Sequence, residues 1–114
     1  MKSVNSWTNT DADVELLQRC KKAITNVAAN TDVILYGSRA RGDADKDSDY
    51  DILVIVDGQA DMALKEEILA NVYPLELETG AVLTLIVYSK QQWDLPLYRA
   101  MPFHKNIDNE GNLL

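Results

Sequence analysis

Residues 35–57, LYGSRARGDADKDSDYDILVIVD, gather two glycines, two arginines and six acidic residues in the middle of the chain. Asp49 and Asp51 are separated by one residue, and strand geometry sends residues i and i+2 to the same face. Two carboxylates that close repel each other unless a cation lies beside them, and hard oxygen ligands suit Mg²⁺. Asp-x-Asp is common, however, and by itself more often describes two solvated residues at a strand's edge. The other end of the stretch changes the weighing. Gly37-Ser38 follows directly on the apolar run ending at Tyr36, where glycine permits a sharp turn that exposes backbone N–H groups. The Ser38 hydroxyl adds a hydrogen-bonding group for a phosphate oxygen. If the flanking strands pair as neighbours, the phosphate cradle and the carboxylate pair meet at one place.

Three rival motifs fail on the same letters. Gly37 and Gly42 have P-loop spacing but are followed by Asp43 and Ala44, so the essential lysine is absent. A calcium loop beginning at Asp43 needs glycine at its sixth place and glutamate at its twelfth, where Ser48 and Val54 stand; beginning at Asp45, it meets Tyr50 and Val56. The dinucleotide fingerprint G-x-G-x-x-G does not occur.

The elements that must position this stretch follow from hydrophobic patterning. Residues 1–9 read as an irregular tail, and 10–114 as one domain. Thr10 or Asp11 caps a helix running to about 29, with Val14, Leu17, Ile24, Val27 and Ala28 at helical spacing. TDVILYG and DYDILVIVD read as strands, the second buried on both faces. Met62, Leu64, Ile68, Leu69 and Val72 support a second helix that Pro74 ends. AVLTLIVY, residues 81–88, is a third strand, Ser89 caps a short helix through Trp93, and the remaining tail reads as turns.

With 114 residues, 46% hydrophobic and 25% charged, the chain is the size of one globular domain. No apolar run approaches the roughly 20 residues that cross a bilayer, and no hydrophobic segment follows the N-terminal lysine, so neither a membrane span nor a signal peptide is expected. The lone cysteine, Cys20, reads as a packing residue in a reducing, cytoplasmic compartment. A net charge of −7 opposes broad nucleic-acid binding but allows a nucleotide whose charge a divalent cation offsets.

Gly37-Ser38, ten intervening residues, then Asp49-Tyr50-Asp51 leading into an apolar strand resembles the signature of the DNA polymerase β-like nucleotidyltransferase superfamily, and the short chain resembles its minimal members. The tail phrase PFHKNIDNEG also resembles their closing segment. The resemblance implies an α/β (α+β) nucleotidyltransferase fold: a small mixed twisted sheet with helices mainly on one face. It implies Gly37 and Ser38 as phosphate contacts, Asp49 and Asp51 as catalytic Mg²⁺ ligands, and AMP transfer from MgATP to a hydroxyl. For Arg39 and Arg41, phosphate contact and pairing with Asp43, Asp45 or Asp47 stay equally open.

The resemblance further implies, as acceptor, a tyrosine of a HEPN-domain partner, with this chain as the antitoxin of a toxin-antitoxin pair. One departure stands out. The family usually supplies a third carboxylate from a following strand, and the aligned position here is Thr84. Glu76 and Glu78 lie just before that strand, although exposure at a helix end is their favoured reading. The alternative function is therefore a catalytically weakened nucleotide-binding module that neutralises its partner by contact. A homo-oligomer, in which a neighbouring subunit supplies the acid, is also compatible. An antibiotic-modifying enzyme is disfavoured because no residues are left for an acceptor-binding domain. His104 reads as ordinary surface, and Trp7, Trp93, Tyr98 and Phe103 as closing a small core.

Overall fold

Apolar residues recurring every three or four positions build the first long element. In the computed structural model, which describes residues 2–3, 11–45 and 47–114, helix α1 (Asp11–Val27) buries Leu17, Cys20 and Ile24 completely. Burial pushes the Cys20 thiol up to about 12, with Glu76 adding to the effect, so Cys20 is an inert packing group. The Thr10 cap, Trp7 and most of the 1–9 tail lie outside the described residues; within that tail, Lys2–Ser3 form strand β1 rather than irregular chain.

Strand β2 (Asp32–Tyr36) runs antiparallel to β3 (Tyr50–Val56), and β3 runs parallel to β4 (Leu83–Ser89). The parallel step needs a crossover, supplied by helix α3 (Met62–Thr79). Helix α2 is the single turn Ser38–Arg41 between β2 and β3. The five-stranded mixed sheet has the order β1-β5-β2-β3-β4, with β5 (Asn112–Leu113) closing on β2. As expected of a central strand, β3 buries side chains on both faces.

Two findings differ from the reading of the sequence. Helix α3 does not stop at Pro74 but continues to Thr79. Pro74 is exposed, while Leu75 beyond it is buried in the core and Gly80 closes the helix by donating to the Glu76 carbonyl at 2.8 Å. Packing on both sides of the proline thus outweighs the hydrogen bond it forfeits. Second, the tail is helical: α4 (Lys90–Trp93), α5 (Pro96–Arg99) and α6 (Pro102–Glu110) follow β4, the last two with proline in their first turn. Ser89 caps α4 as expected, through a reciprocal pair with Gln92.

Helices therefore cover both faces, not mainly one. Helices α1 and α3 pack on Val33, Leu35, Ile52, Val54 and Val56, while the C-terminal helices pack Trp93, Phe103 and Ile107 on Ile34, Leu53 and Ile55. The aromatics close this second core, with Trp93 edge-on to Phe103 and Tyr98 edge-on to Tyr88. His104 is buried rather than superficial: its ring stacks on Trp93 at 4.2 Å, and its Nδ1 lies 3.3 Å from Asp108. Among the described residues no helix is long and apolar enough to cross a membrane.

Candidate active site

The register of the sheet places the chemistry. Tyr36, Asp51 and Thr84 are direct partners across β2, β3 and β4, so their side chains share one face. That is the face covered further along by Leu53, Ile55 and the C-terminal helices. Tyr50, between the two aspartates, points to the opposite face and packs in the core beneath α1.

At the end of β2 the chain turns through Gly37 with φ 77° and ψ −160°, a conformation essentially reserved for glycine. A Cβ built there would lie 2.3 Å from Oδ2 of Asp51. The Gly37 turn and the Asp51 carboxylate are thus in direct contact, as the pairing of their strands requires. The Gly37 carbonyl accepts from the amides of Ala40 and Arg41, which folds the α2 turn back behind Ser38.

The Asp51 carboxyl is raised above the usual carboxylate range, first by burial, then by the charge of Asp49, with Arg41 opposing. A cation between the two aspartates would offset both the burial of charge and the mutual repulsion, so this donor pair suits a hard divalent ion that takes its remaining ligands from phosphates and water. Among the described residues no group of three acidic, histidine or cysteine side chains is placed to hold a metal. Thr84 stands exposed beside Asp51, where the third acid was expected. Glu76 and Glu78 do not supply it: Glu76 accepts from the Leu83 amide at 3.1 Å, and Glu78 pairs with Arg19.

The two arginines take different partners. Arg41, half exposed, lies 3.2 Å from Asp43 and 3.4 Å from Glu110 of α6, on the rim of the turn. Arg39 is 12% exposed and faces inward, toward the Ser48 carbonyl, Asp13 and the Tyr50 ring. Asp43, Asp45 and Asp47 are exposed. Asp13 is an acid in the first turn of α1. Its link to the site, through the hydroxyl of Tyr50 donating to it, had one signal: a tyrosine between two outward carboxylates must point inward.

Comparison with known proteins identifies the family of the chain. Residues 15–107 match the family model of the nucleotidyltransferase domain. Two proteins of Methanocaldococcus jannaschii, each named "Putative protein adenylyltransferase", are similar to the chain. One is 32% identical over 79 residues, covering 68% of this chain and 80% of the relative; the other is 34% identical over 82 residues, covering 72% and 75%. A solved structure from Sulfolobus solfataricus, titled a "putative nucleotidyltransferase", covers 76% of this chain and 82% of its own at 24% identity and a TM-score of 0.44. By the extent of the family match and the identity to these relatives, the chain belongs to the nucleotidyltransferase domain family.

Proposed function

We propose that the protein transfers AMP from MgATP to a hydroxyl group, the acceptor being a tyrosine of a HEPN-domain partner that it thereby neutralises. The observation that carries the reading is the absence of room for a Cβ between Gly37 and the Asp51 carboxylate, which makes the phosphate turn and the carboxylate pair one site. The names of the Methanocaldococcus jannaschii relatives support adenylyl transfer to protein.

In this reading the amides at the Gly37-Ser38 turn and the Ser38 hydroxyl hold the β- and γ-phosphates, with Arg41 exchanging its carboxylate partners for them. Asp49 and Asp51 hold Mg²⁺, which when bound offsets charge on the phosphates and on the attacking and leaving oxygens. The acceptor oxygen forms a bond to the α-phosphorus while the bond to pyrophosphate breaks. Thr84 cannot take the acceptor's proton, so that proton passes to solvent or to the leaving pyrophosphate. Catalysis rests on positioning and charge compensation.

The exposed Thr84 in register with Asp51 favours a second reading, a weakened module that binds nucleotide and silences its partner by contact. One experiment separates the two. ATP labelled at the α-phosphate is incubated with Mg²⁺, the HEPN-domain partner and wild type, Asp49→Asn or Asp51→Asn protein. Label on a partner tyrosine with wild type alone is expected. No label, together with equal neutralisation by all three forms, selects the contact-only module.

A further inference from the structure

Arg39 follows directly on Ser38, so its position in the chain suggests a phosphate contact, yet its guanidinium is committed to the reverse side of the sheet. Nη2 and Nε lie 2.8 and 3.2 Å from the Ser48 carbonyl oxygen, and Nη1 lies 3.8 Å from Oδ1 of Asp13. Its Cζ sits 4.3 Å from the centroid of the Tyr50 ring. The Tyr50 hydroxyl donates to the same Asp13 oxygen. Both acidic and basic partners are shielded, with the Arg39 and Asp13 side chains 12% and 16% exposed.

Three separate pieces of chain meet at this cluster: the phosphate turn through Arg39, the first turn of α1 through Asp13, and the segment entering β3 through Ser48 and Tyr50. Ser48 and Tyr50 flank Asp49, one of the two carboxylates proposed above to hold the metal, and Tyr50 alone separates Asp49 from Asp51. Moving the Ser48 peptide moves the Cα of Asp49 with it. We propose that Arg39, seated on Tyr50 and Asp13, is a positioning residue that fixes Asp49 against the phosphate turn and so sets the geometry of the metal site. This deepens the reading of the site given above and rests on it. The planar fork of arginine is what allows two nitrogens to grip one carbonyl while a third faces a carboxylate; lysine keeps the charge and loses the grip.

The test uses Arg39→Lys and Tyr50→Phe in the full chain. Mn²⁺ binding without nucleotide is read by electron paramagnetic resonance, and the order of the Ser48 and Asp49 amides by ¹⁵N relaxation. With Arg39→Lys, both amides are expected to lose order and Mn²⁺ affinity to fall about 10- to 100-fold, the usual cost of removing support behind a ligand. Tyr50→Phe, which keeps the ring under the guanidinium and loses only the bond to Asp13, is expected to shift both readings in the same direction by less. It carries the test if Arg39→Lys does not fold. If the amide order and the nucleotide-free Mn²⁺ affinity stay at wild-type values while MgATP binding weakens, Arg39 is a phosphate ligand and the proposal is overturned. Wild-type protein that binds no Mn²⁺ would refute the function proposed above, and the amide order would still decide the role of Arg39.

Discussion

Alanine at Gly37 tests the union of the phosphate turn and the carboxylate pair most directly. The new Cβ would lie 2.3 Å from Asp51 Oδ2, against the 3.4 Å at which ordinary contact begins, so the carboxylate or the turn must retreat by about 1.1 Å. The backbone at φ 77° and ψ −160° adds strain of about 1–3 kcal/mol. A domain with about 5–15 kcal/mol of stability survives this, with Tm lower by roughly 5–20 °C. The site suffers more than the fold, since displacing a gripping group by about 1 Å costs on the order of 100-fold. At an MgATP concentration about 100 times the wild-type Kd, ligand stabilisation of about 2.7 kcal/mol should fall to about 0.4 kcal/mol.

The control is Gly42→Ala. Gly42 has φ 84° and ψ 11°, so alanine there costs about 1–2 kcal/mol of backbone strain, but nothing lies within 4 Å of the added Cβ. Scanning calorimetry with and without MgATP should show both variants melting early and only Gly37→Ala losing its response to nucleotide. Equal responses from the two variants, or a wild-type response in Gly37→Ala, would refute the reasoning.

Because Asp51 is raised above its ordinary 3.8 in the folded chain, the native state holds more protons than the unfolded one just above that value. Its contribution to stability therefore falls as pH rises from about 4 through the raised value. Asp51→Asn should flatten the melting profile over that window and melt higher than wild type at pH 7 without metal; a lower melting point at pH 7 would contradict the assignment. Thr84→Asp places a third carboxylate in register beside Asp51, and Mn²⁺ titration should show binding tightened several-fold or a second ion taken up. Unchanged Mn²⁺ binding would mean that position 84 does not face the site. Pro74→Ala should raise stability by about 1–3 kcal/mol, because exposed Pro74 interrupts the α3 hydrogen-bond ladder, and denaturant unfolding will detect it.

The sequence determined the parts of this protein that depend on neighbouring residues. The three central strands, the start of the crossover helix and the Ser89 cap were legible because local periodicity and short-range hydrogen bonds specify them. The meeting of Gly37-Ser38 with Asp51 was legible for the same reason: Gly37-Ser38 ends one strand and Asp49-Tyr50-Asp51 opens the next, so one antiparallel pairing brings them together. Tertiary structure decided what depends on partners distant in the chain. Helix α3 passes Pro74 because Leu75 is buried and Glu76 bonds to β4. Helix α6 forms because Ile107 has a second apolar face of the sheet to cover, a face that no local pattern announces. Arg39 turns inward because Asp13, Tyr50 and Ser48 come together only when α1 lies across the sheet. Charge and spacing select which residues can do the chemistry, and packing decides which way each of them points.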